Sequence, residues 1–284
     1  MRWINESSGG NVSDRRGRGG GGMIIGGGLG TLIIAAIVFF LGGDPSAILG
    51  SSISGQPQTE SRELTPEEKQ VYRFVDMIAG ANQNTWNEIF AENNMRFTPA
   101  KIVMFENGTS SGCGVAQSAM GPFYCPNDQT IYVDMSFFNE LQSKFGARVS
   151  EFTVAYVLGH EYGHHVQNLL GTLDQTERLR RSGRYSEREL NRVSVATELQ
   201  ADFFAGLWAR KTNDRTNFIE PGDIEAAISA AEAVGDDNIQ RRAQGYVRQE
   251  SFTHGSSAQR KDWFMRGYNT GDIRQGNTFD QLLR

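Results

Sequence analysis

The stretch His160-Glu161-Tyr162-Gly163-His164, followed by Glu198-Leu199-Gln200-Ala201-Asp202, determines the fold and the site that we expect. Residues four apart lie on one face of a helix. His160 and His164 can therefore present two imidazole nitrogens to one metal ion, with Glu161 beside them. A catalytic zinc site uses three protein ligands and keeps a fourth position for water, so the HExxH pattern predicts zinc.

The surroundings of this motif favour a metal site over two surface histidines. Phe152 and Leu158 precede the motif and Val166 follows it, so the predicted helix is mostly buried. Two histidines and a carboxylate in such a helix are costly unless they are paired or bind a metal. We therefore predict that His160 and His164 are ligands of one Zn²⁺ per chain.

Glu198 is the predicted third ligand, because it lies among the apolar positions of a second helix. A carboxylate on a buried face needs a partner. Asp202 lies one turn further along the same side, and a ligating imidazole usually donates its second N–H to such a group. In the alternative, both carboxylates are solvated or pair with Arg192 or Arg210.

Residues 23–41 form a run of 19 residues without a charge, long enough to cross a hydrocarbon core of about 30 Å. Basic flanks stay in the cytoplasm, and the residues before the run include Arg2, Arg15, Arg16 and Arg18. We predict a single-pass transmembrane helix in the cytoplasmic (inner) membrane, with the rest of the chain on the periplasmic, extracytoplasmic side. A cleaved signal peptide is the alternative, but its apolar core is usually shorter and no clean A-x-A site follows.

The composition divides the rest of the chain into three parts. Residues 1–22 are rich in Gly, Ser and Arg, which predicts a disordered cytoplasmic tail. Residues 42–64 have the composition of a flexible linker. Residues 65–284 then form one folded domain.

Charge and cysteine content narrow the function further. The net charge of −5 argues against a nucleic-acid partner. Cys113 and Cys125 could be reduced core residues, a pair of zinc ligands or a disulfide, and the disulfide is expected if the domain is extracytoplasmic.

Local patterns predict an α+β fold with a mainly helical C-terminal half. Capping boxes begin helices at Thr65 and at Ser186, while Ser150 caps the motif helix and Gly171 ends it. β-branched and aromatic residues predict strands over residues 101–106 and 130–135. Further helices are expected over residues 136–145 and near residues 223–234, 256–269 and 277–283.

Three segments carry a family resemblance: HEYGHHVQNLLG (160–171), ATELQADFFAGLW (196–208) and SFTHGSSAQRKDWF (251–264). The chain resembles, over nearly its whole length, the membrane-anchored neutral zinc metallopeptidases of bacteria, within the gluzincin group. The resemblance implies a zincin fold, in which a small mixed sheet packs on the motif helix. It also implies His160, His164 and Glu198 as ligands, Glu161 as catalytic base and Asp202 as the support of a zinc-bound histidine.

The residue types suggest how peptide hydrolysis would proceed. Glu161 would take the proton of the attacking water and deliver it to the leaving amine. His254 is our candidate donor to the oxyanion, with Arg260 as second choice; alternatively, His254 caps a helix or lies on the surface. His165 points about 100° away from His164 around the helix, so we expect a structural or supporting role.

The strand over residues 130–135 has two interpretations. An extended peptide substrate can pair with an exposed sheet edge, and the resemblance suggests this strand for that role. It is equally compatible with an ordinary sheet strand.

Two other classes of protein compete with the peptidase. Peptide deformylases also have HExxH but take an upstream cysteine as third ligand, here Cys113; they act in the cytosol, which contradicts the predicted anchor. The second is a zinc-stabilised, membrane-anchored binding or adaptor module without hydrolytic activity. Retention of Glu161, which is not a ligand, favours catalysis.

Overall fold

The computed structural model of this chain describes residues 1–3, 7–17 and 62–282. The predicted transmembrane segment, residues 23–41, lies outside the described residues, as does the predicted linker up to residue 61. Among the described residues, no helix is long and apolar enough to cross a membrane.

A long helix, α1 (Pro66–Glu92), begins at the predicted capping box. The Thr65 side chain accepts from the Glu68 backbone N–H, and the Glu68 carboxylate accepts from the Thr65 N–H. These two bonds satisfy donors that a helix start otherwise leaves unpaired. Trp86, on this helix, packs edge-to-face on Phe204 in the core.

A four-stranded mixed sheet lies beside α1, in the order β1-β2-β6-β5. Its strands are β1 (Val12–Asp14), β2 (Lys101–Met104), β6 (Thr130–Val133) and β5 (Phe123–Cys125). The first three run parallel, and β5 runs antiparallel to β6. The small mixed sheet was therefore predicted correctly, although β1 and β5 were not among the predicted strands.

The predicted disorder of residues 1–22 is wrong for residues 1–3 and 7–17. Residues 12–14 form β1, whose register pairs Val12 with Ile102 and Asp14 with Met104. Trp3 packs edge-to-face on Phe74 of α1. Composition suggested disorder because the tail has few apolar residues, yet backbone hydrogen bonds to β2 need no apolar side chains.

A hairpin of β3 (Gly108–Ser111) and β4 (Gly114–Gln117) forms a separate two-stranded antiparallel sheet. Cys113 in its turn forms a disulfide with Cys125 on β5. Of the three possibilities for the two cysteines, namely reduced core residues, zinc ligands or a disulfide, the structure therefore shows the disulfide. A deformylase-like site with Cys113 as third ligand is therefore wrong, because a disulfide sulfur is not a thiolate ligand.

The motif helix α3 (Glu151–Leu169) follows the short helix α2 (Ser136–Ser143). Ser150 caps α3 as predicted, by accepting from the Thr153 backbone N–H. The predicted stop at Gly171 is displaced slightly, because α3 ends at Leu169. Gly171, at φ 77°, directly precedes a further helix, α4 (Thr172–Arg181), which the sequence patterns did not predict.

The second motif helix, α5 (Glu187–Thr216), crosses α3 and is capped by Ser186 as predicted. Gly163 allows the two backbones to approach at the metal motif, since a Cβ there would lie 2.8 Å from the Ala201 carbonyl oxygen. Because the helices cross so closely, the side chains of His160 and His164 on α3 lie next to that of Glu198 on α5.

In the part of the chain that the structure describes, four further helices complete the C-terminal half, which is mainly helical as predicted. Three of them lie close to the predicted positions, and the fourth, α7, was not predicted. They are α6 (Asp223–Ala233), α7 (Asp236–Gln244), α8 (Ser257–Thr270) and α9 (Phe279–Leu282). Helix α8 packs along α5 and brings the loop that precedes it to the mouth of the site.

Candidate metal centre

Three predicted ligands converge where α3 crosses α5. One donor atom from each of His160, His164 and Glu198 lies within 4.8 Å of the other two, and all three residues are buried. The His160 Nε2 atom is 3.2 Å from Glu198 Oε2, and the His164 Nε2 atom is 3.4 Å from Glu198 Oε1. The helical repeat aligns the histidines, and the helix crossing brings the glutamate to them.

This donor set fits a zinc ion. Ligands about 2.0–2.2 Å from a tetrahedral zinc lie roughly 3.3–3.6 Å from one another, close to the nitrogen–oxygen separations above. The two imidazole rings are nearly perpendicular, with centroids 4.8 Å apart, so both Nε2 atoms reach a shared point without a ring clash. Two imidazoles and one carboxylate are also a donor set that zinc accepts.

A buried charged cluster holds the outer nitrogen of His160. His160 Nδ1 lies 2.9 Å from Asp202 Oδ1, which also accepts from the Tyr156 hydroxyl at 2.6 Å. Arg260 donates to both Asp202 oxygens, at 2.8 and 3.0 Å. The carboxylate of Asp202 thus lies beside the outer nitrogen of His160, and Tyr156 and Arg260 complete its hydrogen bonds.

The charges in this cluster shift its pKa values in opposite directions. Burial penalises the Asp202 carboxylate, but the Arg260 and His160 charges lower its pKa to about 2. Burial likewise penalises a protonated His160, but the charge and hydrogen bond of Asp202 raise its pKa to about 10. In both cases a close opposite charge outweighs desolvation.

A neutral side chain holds the outer nitrogen of His164. Gln167 Oε1 lies 2.9 Å from His164 Nδ1. The Gln167 amide donates in turn to the Thr197 carbonyl at 2.7 Å and to Gln200 Oε1 at 3.1 Å. Gln167 was not among the predicted site residues, although its position three residues after His164 places it on the same helix face.

His165 belongs to a different environment from its neighbour. Its Nδ1 atom lies 3.0 Å from the Tyr124 hydroxyl, and its Nε2 atom lies 2.6 Å from the Thr98 carbonyl. Burial lowers its pKa. The residue therefore ties α3 to the sheet and to the segment before β2, as a structural histidine would.

Glu161 is the one carboxylate of the cluster with an unsatisfied oxygen among the described residues. The residue is buried, and its Oε2 atom has no hydrogen-bond partner there. Burial raises the pKa of the carboxyl group, while the neighbouring His164 and His160 act against that rise. A buried oxygen that borders a cavity is placed to bind a proton from a molecule inside that cavity.

His254 lies at the mouth of the site, in the loop before α8, and Asp236 fixes that loop. The Asp236 carboxylate accepts from the backbone N–H groups of Thr253, His254 and Gly255. It also lies 3.3 Å from His254 Nδ1. Burial lowers the pKa of His254, but the Asp236 carboxylate raises it above its ordinary value overall.

These contacts separate the two candidates for an oxyanion donor. Ser256 caps α8, so His254 is not the capping residue. Arg260 has its guanidinium committed to Asp202, so its role here is in the buried cluster. Asp236 was missed because it begins a short helix 18 residues before His254, with no periodic pattern to connect them.

A cavity of about 250 Å³ opens on the metal cluster and is bordered by Glu161 and His254. One part of its wall is apolar and comes from α2, α6 and α7. The apolar side chains are Phe137, Leu141, Ala230 and Ile239, with Phe145 just beyond α2 and Val234 just beyond α6. The site therefore combines a polar centre with an adjoining apolar recess.

Of the two interpretations of residues 130–135, the ordinary sheet strand is correct and the exposed substrate edge is wrong. Strand β6 pairs with β2 on one side and with β5 on the other, so its hydrogen-bonding edges are occupied. The edge strand on this side is β5, and residues 119–122 that lead into it line the cavity. Short edge strands such as β5 are difficult to distinguish from turns by composition.

The architecture and the site define an α+β protein in which two buried histidines and one buried glutamate could together hold a metal ion. A family profile described as "Putative neutral zinc metallopeptidase" matches residues 1–279. The chain belongs to this family, which agrees with the resemblance seen in the three sequence segments.

Curated relatives match the chain at similar levels of identity. Uncharacterized protein YpfJ of Escherichia coli (strain K12) is 40% identical over 291 residues, which cover 100% of both chains. Uncharacterized protein Rv2575 of Mycobacterium tuberculosis (strain ATCC 25618 / H37Rv) is 40% identical over 216 residues, covering 73% of this chain and 71% of the relative. No solved structure matches the chain.

Proposed function

We propose that this protein is a zinc-dependent endopeptidase with a zincin-like active site. The observation that carries the proposal is the buried Glu161 carboxylate, which has an unsatisfied oxygen beside three converging ligands and faces an open cavity. A purely structural zinc site has no need for an additional, non-ligating carboxylate, and it fills all four positions with protein ligands.

Each residue around the cavity has a distinct task in this proposal. His160, His164 and Glu198 would hold the zinc ion, which polarises a peptide carbonyl and acidifies a water molecule. Glu161 accepts the proton of the attacking water and later donates it to the leaving amine. Burial raises the pKa of Glu161, which makes its carboxylate a stronger base towards the water proton than an ordinary glutamate.

His254 would donate a hydrogen bond to the oxyanion of the tetrahedral intermediate. Asp236 supports this assignment, since it fixes the loop and favours the protonated imidazole. A donor of this kind contributes about 2.7–4 kcal/mol to transition-state binding in other hydrolases.

Two features support a peptide as the substrate. An extended chain can pair with the edge formed by β5 and by the preceding residues 119–122, next to the cluster. The recess lined by Phe137, Leu141 and Val234 favours a large apolar side chain near the scissile bond.

We also propose that the domain works outside the cytoplasm and that residues 23–41 attach it to the cytoplasmic membrane. The Cys113–Cys125 disulfide supports an oxidising compartment. The length and lack of charge of residues 23–41 support membrane attachment.

The test uses the zinc-loaded full chain in detergent with a diverse peptide library, and cut sites are identified by mass spectrometry. We expect cleavage next to large apolar residues. Glu161→Gln should lower the rate about 10²–10⁴-fold while zinc remains bound. Glu187→Gln, which changes an exposed glutamate of α5, is the matched control and should cleave normally.

The same experiment distinguishes the endopeptidase from the remaining alternative, a zinc-stabilised binding or adaptor module. If Glu161→Gln cleaves as fast as the wild type, the proposed base is wrong. If zinc is bound but neither protein cleaves any peptide in the library, the adaptor interpretation replaces the endopeptidase.

A further inference from the structure

The segment before the apolar run is an integral part of the domain sheet. Residues 12–14 form the parallel strand β1 against β2, and the pairing extends at both ends. The Ile102 N–H donates to the Asn11 carbonyl, and the Arg15 N–H donates to the Met104 carbonyl. Five consecutive residues, 11–15, are thus joined to one strand of the domain.

Helix α1 has two features that fit this tail. Asp76 accepts from the Ser8 hydroxyl and from the Gly10 N–H. Gly80 lies so close to the tail that a Cβ there would be 1.8 Å from the Ser7 carbonyl oxygen. A glycine inside a helix costs about 1 kcal/mol relative to alanine, and the passage of the tail accounts for its presence here.

Two of the arginines that precede the apolar run, Arg15 and Arg16, have partners in the domain. Arg16 is buried, pairs with Asp14 and donates to the Glu68 carbonyl at 2.8 Å. Arg15 donates to the Thr109 hydroxyl at 2.9 Å. In the sequence analysis, these arginines indicated a cytoplasmic flank. In the structure, they are explained by hydrogen bonds within the domain, so they no longer identify the side on which the tail lies.

The chain leaves and re-enters the domain at one point. The Gly17 carbonyl accepts from the Arg62 N–H at 2.8 Å, and Glu106 accepts from both the Gly17 N–H and the Arg62 guanidinium. A segment that crosses a membrane once must separate its ends by the hydrocarbon thickness of about 30 Å. Residues 17 and 62 cannot satisfy that requirement while they are hydrogen-bonded to each other.

We infer that residues 7–17 and residues 62–282 form one discontinuous domain and lie on the same side of the membrane that residues 23–41 enter. The chain between residues 17 and 62 therefore does not cross the membrane once, although residues 23–41 remain the proposed point of attachment. The predicted topology, with a cytoplasmic tail and an extracytoplasmic domain, is replaced by one in which the tail accompanies the domain.

Thiol labelling of the full chain in spheroplasts tests this inference. The two native cysteines form a disulfide, so a single introduced cysteine is the reactive thiol. Ser7→Cys reports on the tail and Ser182→Cys on the domain, and both positions are exposed. A membrane-impermeant maleimide should label both before lysis, or both only after lysis.

Labelling of one position before lysis and of the other only afterwards would overturn the inference. The control is labelling in mild detergent, where the fold is retained but the membrane barrier is absent. It shows whether the maleimide can reach each thiol in the folded protein. Neither readout depends on hydrolysis, so a failed peptidase proposal leaves this test unaffected.

A crosslink gives a second, independent result. The Ser7 hydroxyl lies 3.3 Å from the Asn84 amide nitrogen, so cysteines at these two positions lie within reach of a short bis-maleimide crosslinker. Full-length Ser7→Cys/Asn84→Cys, treated with that crosslinker in its membrane, should yield the peptide that joins residues 7 and 84. The matched pair Ser7→Cys/Ser182→Cys should not. If the first pair yields no crosslink under conditions that preserve the native disulfide, the tail does not lie on the domain and the inference fails.

Discussion

The two histidines of the metal motif have the same predicted task, yet different chemistry holds them in place. The outer nitrogen of His160 faces a charged cluster of Asp202, Arg260 and Tyr156. The outer nitrogen of His164 faces the neutral amide of Gln167. A ligand histidine needs an acceptor that fixes its tautomer and ring orientation, and both sides provide one.

The difference affects stability and pH dependence rather than ring orientation. A buried charge that loses its partner destabilises a fold by about 3–5 kcal/mol, whereas a lost neutral hydrogen bond costs about 1–3 kcal/mol. Mutation or acid should therefore destabilise the protein more through the residues that support His160. The residues that support His164 should show smaller effects of both. Four predictions test this contrast, from the largest expected effect to the smallest.

Asp202→Asn should lower the free energy of unfolding of the metal-free protein by about 3–5 kcal/mol, because it leaves the Arg260 guanidinium buried without an anionic partner. Urea denaturation followed by circular dichroism measures this loss. Asp202→Asn/Arg260→Met is the control and should recover much of the stability. A loss below about 1 kcal/mol would show that the cluster does not depend on its charge.

The pH dependence of stability should differ between the two sides. The pKa of Asp202 is about 2 in the folded protein, against an ordinary value of 3.8. Its contribution of about 2 kcal/mol is therefore present above pH 4 and is lost as the pH falls towards 2.

Wild-type protein and Gln167→Leu should both show this acid-dependent loss in denaturation curves between pH 4 and 2, and Asp202→Asn should show a shallower one. Equal slopes for all three proteins would mean that other carboxyl groups dominate acid unfolding.

Gln167→Leu should cost about 1–3 kcal/mol, because the imidazole of His164 and the Thr197 carbonyl each lose a partner while no charge is stranded. Zinc affinity should fall about 10–100-fold, as expected for a support of a ligand histidine. Competition with a chelator measures the affinity. Destabilisation equal to that of Asp202→Asn would remove the distinction between the two sides.

The double variant Asp202→Asn/Gln167→Leu should show additive destabilisation within about 0.5 kcal/mol, because the two side chains share no hydrogen-bond partner in the described structure. Denaturation of the four proteins of the cycle measures the interaction energy. A coupling of 1 kcal/mol or more would indicate that α3 transmits strain between the histidines.

The ligand set illustrates what could be predicted from sequence. The 3.6-residue helical repeat places His160 beside His164 and Glu198 beside Asp202, and a carboxylate on an apolar helix face has few uses other than pairing or ligation. Gln167 and Tyr156 were accessible by the same rule, since they lie three and four residues from the histidines that they support. Neither was predicted, because an uncharged amide or hydroxyl in a buried helix does not by itself indicate a functional site.

Contacts between distant segments could not be predicted in this way. Asp236 meets His254 because the first turn of α7 packs against the loop before α8, and β5 rather than β6 forms the sheet edge because of strand order. Neither the contact between Asp236 and His254 nor the strand order produces a periodic pattern of residues in the sequence.

By itself, then, the sequence determined the two motif helices, the identity of the converging ligands and the predominance of helix in the C-terminal half. Each of these follows from short-range periodicity and capping chemistry. The tertiary structure alone decided that the Gly- and Arg-rich tail completes the sheet, that Arg260 neutralises Asp202 and that Asp236 holds His254. These pairings depend on hydrogen bonds between segments far apart in the chain, which become specific only when the packing of the core brings the partners together.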